Sequence, residues 1–241
     1  MSVGVLQSPD VIALSSRLRS EEKVESIDSP RKWNPEQFAR EQVRGLVRQV
    51  FFSSIARPIR QVVLSSLESE TDVGNICCMV GQSLTLETNA SVAVVNRTPH
   101  GTQAPDTTAS GMDENASEAG GTSLHAIGTR AGNNLWLIPE RRILTNLDGG
   151  RMDSALYAHL WKLRREFEYS VIEGAPVGQS SEAAALGQVA DGIILVLAAH
   201  RTRREMARRI KQILDSAKVR ILGTVLSGRT FPIPESIYRR I

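Results

Sequence analysis

The sequence predicts an α/β fold, a doubly wound and mostly parallel sheet flanked by helices in a single domain. Three observations predict it. Short, nearly continuous apolar runs recur along the chain, as in parallel strands covered on both faces. Stretches with apolar residues at helical spacing separate those runs. Six such strands alternate with helices, the pattern that builds a parallel sheet by successive crossovers. A chain of 241 residues suits one domain of this kind with tails, and 41% hydrophobic residues suits a core diluted by segments that have none.

In chain order, residues 1–33 mix Ser, Glu, Arg and Pro with weak periodicity and read as a disordered leader. The domain, 34–241, opens with Asn34 as N-cap and Pro35 as first residue of a helix whose apolar face carries Phe38, Val43, Leu46, Val47 and Val50. Val62, Val63 and Leu64 form the first strand, followed by a polar loop and a helix opening near Gly74. Residues 91–96, SVAVVN, are the second strand. Residues 97–132 are rich in Gly, Ser, Thr, Ala and Asn with almost no large apolar residue, and read as a long flexible insertion. The pattern resumes with a strand at 133–139. A helix follows over 151–166, with Met152, Leu156, Leu160 and Leu163 at helical intervals. A strand at 168–173, a helix at 181–189 and a strand at 192–198 come next. A basic helix at 202–217 precedes the last strand, 219–227. The tail from Phe231 holds Pro232 and Pro234 and cannot be a regular helix throughout.

Composition excludes several classes. A net charge of +3 is too small to argue for nucleic acid. Cys77 and Cys78 fall inside a helix and read as buried thiols, not a disulfide. No apolar run approaches the ~20 residues that cross a bilayer, and the N-terminus lacks a signal-peptide pattern, so a soluble cytoplasmic protein is expected. His100, His125, His159 and His200 lack metal-ligand spacing. Trp33, Trp136 and Trp161 read as packing residues, and no Gly-x-Ser-x-Gly or Cys/His pair suggests a nucleophile.

The strand, loop and helix within 61–90 form the frame of a phosphate-binding P-loop. Such a loop needs glycines that let backbone N–H groups reach the phosphates, a Lys for the β/γ-phosphates and a Ser or Thr for Mg²⁺. The loop here reads Glu68, Ser69, Glu70, Thr71, Asp72, Val73, Gly74, Asn75, with one glycine and no lysine. Two like charges a few ångströms apart cost about 3 kcal/mol at an effective dielectric of 20, against about 1 kcal/mol offered by the helix dipole. The loop repels phosphate.

Five pieces carry a family resemblance: EQVRGLVRQVFF from Glu41, LSSLESETDVGNICCMVGQSL from Leu64, NNLWLIP from Asn133, LRREFEYSVIEGAPV from Leu163, and VADGIILVLAAHRTRREMARRIKQILDSAKVRILGTVLSGR from Val189. In this order they resemble the bacterial tyrosine kinases of the capsule and exopolysaccharide type (the CpsD/CapB class). That class sits within the P-loop ATPases that include the ParA and MinD partitioning proteins. The resemblance implies a P-loop NTPase-like fold, Mg-ATP as cofactor in active members, and docking on a membrane-embedded polysaccharide co-polymerase, the chain-length regulator.

The departures from the family pattern fall together. Val73 stands at the lysine position and Gly74 at the Mg²⁺-binding Ser/Thr position. Asn96 and Thr98 replace the two aspartates after the second strand. Glu173 replaces the aspartate of the third motif and would meet Mg²⁺ only through water, if Mg²⁺ is bound. Ser227 stands where an Asn is usual, and the tail has one tyrosine, Tyr238, in place of a cluster. Joint loss implies a catalytically impaired pseudokinase with no bound cofactor, acting as an interaction or regulatory component on a co-polymerase or a kinase paralogue, with no nucleic-acid partner. It would lie in the cytoplasm or at the inner membrane through its partner. An active autokinase and a ParA/MinD-like positioning ATPase are the alternatives.

Two further features each leave two readings. Glu41 and Arg44 match the family's Glu-x-x-Arg-x-x-Arg subunit contact, with Arg48 one place late, so a homo-oligomer is implied; a solvated pair worth ~0.3 kcal/mol is the other reading. The basic helix, with Arg201, Arg203, Arg204, Arg208, Arg209 and Lys211 against Glu205 and Asp215, reads as a surface for acidic headgroups or a membrane partner's tail. The favoured reading is the solvated face of a helix whose Met206, Ile210, Ile213 and Leu214 pack on the sheet.

Overall fold

The computed structural model describes residues 35–53, 57–69, 71–97, 123–143 and 152–228. Expectations for 1–33, Asn34, Glu70, Thr98, most of the insertion and the tail from 229 lie outside them. Among the described residues, helix α1 is Pro35–Phe51, strand β1 Gln61–Ser66, α2 Val73–Thr88 and β2 Val92–Asn96. A short α3 (Leu124–Ile127) and β3 (Thr129–Arg130) precede β4 (Leu135–Pro139) and a 3₁₀ turn, Glu140–Arg142. Then come α4 (Met152–Glu166), β5 (Tyr169–Glu173), α5 (Glu182–Val189), β6 (Gly192–Ala198), α6 (Arg204–Ser216) and β7 (Ile221–Ser227).

The strands form one sheet in the order β3-β4-β2-β5-β1-β6-β7, parallel except for β3, which pairs antiparallel with β4. The expected strands are all present, and β3 makes a seventh. The expectation of a featureless insertion to residue 132 is therefore corrected over its last ten residues. Ser123 caps α3, and the Ala131 N–H donates to the Leu135 carbonyl at the β3–β4 turn. A four-residue helix and a two-residue edge strand are too short to leave a periodic signal.

Alternate side chains of each strand serve two cores, as a pleated sheet requires. Val62, Leu64, Val92, Val94, Val171, Ile194 and Val196 face α1 and α2, where Val47, Val50, Cys77, Val80 and Leu84 complete one core. Val63, Ala93, Val95, Ile172, Ile193 and Leu195 face the other side, with Leu156, Leu160, Leu163, Leu186, Ile210 and Leu214. Close approach of α2 to the sheet depends on Gly81, where a Cβ would lie 2.4 Å from a Val94 methyl. Trp136 packs with His125 and Phe167 as expected, but Trp161 is 66% exposed, which corrects its reading as a packing residue. Met206 and Ile213 are likewise corrected: at 37% and 42% exposure they stand on the shoulder of α6, while Ile210 and Leu214 fill the core.

The N-terminal end of the sheet is tied by Asp191. Its carboxylate accepts the backbone N–H groups of Arg60 and Gln61, each at 2.8 Å, and pairs with Arg164 at 2.7 Å. Gln61 is fully buried, donates to the Leu160 carbonyl and accepts from Arg164.

Candidate functional site

The connection leaving β1 crosses to one side, toward β2, and the connection leaving β5 crosses to the other, toward β6. Outside the carboxyl ends of strands at such a switch point, open α/β sheets hold their ligands. The segment after β5 is laced onto the end of β1. The Gly174 N–H donates to the Leu64 carbonyl, Ser65 Oγ donates to the Ala175 carbonyl at 2.6 Å, and the Val177 N–H donates to the Ser66 carbonyl. Gly178 allows this crossing, because a Cβ there would sit 2.6 Å from the Leu67 carbonyl oxygen.

Glu68, Ser69, Thr71 and Asp72 line the described part of the loop that follows, with Gln179 donating to Ser69 Oγ. Two N–H donors at the start of α2 are already used by the chain. Asp72 is the N-cap, and its carboxylate accepts the Asn75 N–H at 3.1 Å. The Val73 N–H donates to the Thr71 carbonyl. Val73 and Gly74 are buried, and Asn75 is exposed. A phosphate chain needs free N–H groups and a cation at this corner. The residues present offer a carboxylate cap and an apolar side chain, and do not fit it.

The described cation of the corner comes from the end of β2. Arg97 donates its backbone N–H to Glu173 Oε2 at 3.0 Å, and its guanidinium lies 3.5 Å from both Glu140 and Glu182. Four elements supply this cluster: β2 ends in Asn96 with Arg97 next in the chain, β5 ends in Glu173, the 3₁₀ turn after β4 opens with Glu140, and α5 opens with Glu182. Glu173 is 9% exposed and holds the Arg97 backbone, while Glu140 and Glu182 share the guanidinium. Burial pushes the Glu140 carboxyl up to about 7, the Arg97 charge opposes that shift, and repulsion and hydrogen bonding from Glu182 add to it. Among the described residues, no trio of His, Cys, Asp or Glu is grouped to hold a metal ion. The arrangement is that of a partly buried ion cluster at the carboxyl end of the sheet.

Asn96 is buried beside this cluster, donates to Cys78 Sγ at 3.3 Å, and leaves its Oδ1 without a partner. Burial raises the Cys78 thiol and raises Cys77 further, with the nearby Glu173 charge adding to the effect on both. Both are poor nucleophiles for that reason. Glu41, Arg44 and Arg48 are engaged within the chain. Arg44 pairs with Glu41 at 2.9 Å, and Arg44 and Arg48 both reach Glu87 of α2, at 3.1 and 3.0 Å. The structure thus adds Glu87 to the pair and ties α1 to α2.

Sequence reasoning placed Glu173 and Asn96 at the corner and overlooked Arg97, Glu140 and Glu182. These lie 43 and 85 residues from Arg97 in sequence, and only the parallel register brings the ends of β2, β4 and β5 together.

No family model matches the chain. A stretch of 63 residues is 30% identical to the tyrosine-protein kinase YwqD of Bacillus subtilis (strain 168), spanning 26% of this chain and 27% of that protein. The fold matches the kinase domain of the Escherichia coli tyrosine kinase ETK at a TM-score of 0.61 and 14% identity, covering 95% of this chain and 99% of that one. It matches the BceF tyrosine kinase domain at 0.59 and 15% identity, covering 92% and 90%. The fold is that of bacterial tyrosine kinase domains.

Proposed function

We propose that this chain is a catalytically silent member of the tyrosine-kinase-like P-loop proteins, serving as an interaction or regulatory component of exopolysaccharide or capsule assembly and export. Its partner is a membrane polysaccharide co-polymerase or an active kinase paralogue. The observation that carries this reading is the Arg97 cluster, in which the guanidinium stands between Glu140 and Glu182 and the backbone N–H donates to Glu173. Support comes from the start of α2, where Asp72 and Thr71 take the N–H groups of Asn75 and Val73. No Mg-ATP is required on this reading, and the kept fold serves as a docking body.

Calorimetry with Mg-ATP at millimolar concentration tests it. The expected result is no heat of binding. Clear saturable binding at micromolar concentration would overturn the reading in favour of an active autokinase. That second reading draws on one observation, the retention of an acid, Glu173, at the end of β5.

A further inference from the structure

Among the described residues, α6 and its flanks carry the strongest unspent charge. Between residues 200 and 220 the chain holds eight cations (Arg201, Arg203, Arg204, Arg208, Arg209, Lys211, Lys218, Arg220) and two anions (Glu205, Asp215), a net of +6. The whole chain carries +3, so the remaining residues sum to −3. All eight cations are exposed. Lys211 pairs with Asp215 one turn away. Arg203, Arg204, Arg208, Arg209, Lys218 and Arg220 have no carboxylate partner among the described residues. A protein that had placed these charges for its own stability would have paired them, as it does at Glu87 and Asp191.

The shape of the patch narrows the partner. The 13 residues of α6 span roughly 20 Å at 1.5 Å per residue, and the cations continue beyond both ends. Met206, Arg209 and Ile213 follow one another at i, i+3 and i+7, on one line along the helix. Two half-exposed apolar side chains thus flank an arginine on the shoulder of a helix whose own apolar face, Ile210 and Leu214, is already spent on the core. Leu226 of the edge strand β7 adds a further apolar residue at 56% exposure. No aromatic residue lies on α6 to stack on a base. A surface that is anionic outside and apolar just beneath matches such a face: cations meet phosphate headgroups while Met and Ile enter the interface.

We infer that α6 and its flanking residues form a docking face for an anionic lipid bilayer, which the chain contacts directly. The contact is peripheral and reversible, since no helix among the described residues is long and apolar enough to span a membrane.

Co-sedimentation with vesicles of phosphatidylcholine, with and without phosphatidylglycerol, at near-physiological salt tests this. The expected result is binding to phosphatidylglycerol vesicles alone. Arg204→Glu with Arg208→Glu and Arg209→Glu should lower that binding by at least about tenfold. A charge-matched control, Arg40→Glu with Arg141→Glu and Arg165→Glu, should change it by less than about threefold. Thermal melts should show both triple variants folded, since none of the six arginines has a structural partner among the described residues. Absence of binding to phosphatidylglycerol vesicles, or equal loss in the control, would overturn the inference. So would binding to polyglutamate or duplex DNA with the vesicles left unbound, which would assign the face to an acidic polymer.

Discussion

Two regions of this molecule treat charge in opposite ways. At the C-terminal end of the sheet, Arg97 is held by carboxylates from three other elements, and burial, with repulsion from Glu182 adding to it, pushes the Glu140 carboxyl up to about 7 against the pull of Arg97. Along α6 and the residues flanking it, six cations face solvent without a carboxylate partner among the described residues. In the first region charge is spent inside the protein, and removing one member leaves others buried and uncompensated. In the second, charge is held in reserve, and its removal costs the fold almost nothing. The contrast separates an architectural use of ions from an interfacial one, and it assigns opposite roles to the same residue type.

The sharpest break in that contrast would be Arg97→Ala. With Glu140 and Glu182 left facing each other at low exposure, stability should fall by about 2 kcal/mol; the full cost of a broken buried pair is moderated because the guanidinium is 37% exposed. Urea denaturation reads this, and adding Glu182→Gln should recover part of the loss. Unchanged stability would place Arg97 with the reserve charges.

The second test uses pH. The folded-state value of Glu140 lies above its ordinary 4.5, at about 7, so the native state binds more protons across that window. Its contribution to stability should decline as pH rises from about 4.5 through 7 and stay flat above. Glu140→Gln should therefore gain on the wild type between pH 5 and 8, read as the difference between two denaturation series. A constant difference would show that the cluster does not strain this carboxyl.

Smaller effects complete the series. Glu87→Ala removes the shared partner of Arg44 and Arg48 and should cost about 1 kcal/mol, since the pair is multidentate but mostly at the surface. Last, Arg208→Glu should shift stability by less than about 0.5 kcal/mol. A larger loss there would mean that α6 uses its charge for folding after all.

The strands were legible because β1, β2, β5 and β6 are buried on both faces, and burial on both faces demands unbroken apolar runs. The N-cap role of Asp72 was hidden behind its reading as a repelling charge, although both follow from one carboxylate at a helix start. Ion clusters leave no periodic trace. Arg97 and Glu182 are neighbours only because β2 and α5 end and begin at the same corner. Met206 and Ile213 misled because helical spacing marks an apolar stripe but not its width, and residues at the edge of a stripe meet solvent; Trp161 misled because its reading rests on residue type alone.

The Asp191 tie has a consequence for how such a protein changes over generations. It fastens β1, α4 and the approach to β6 at the end of the sheet opposite the motif loops. Substitutions in the loops at the far end leave this fastening intact. A chain built this way can vary its loops freely, because inheritance of its shape does not depend on inheritance of what those loops carry.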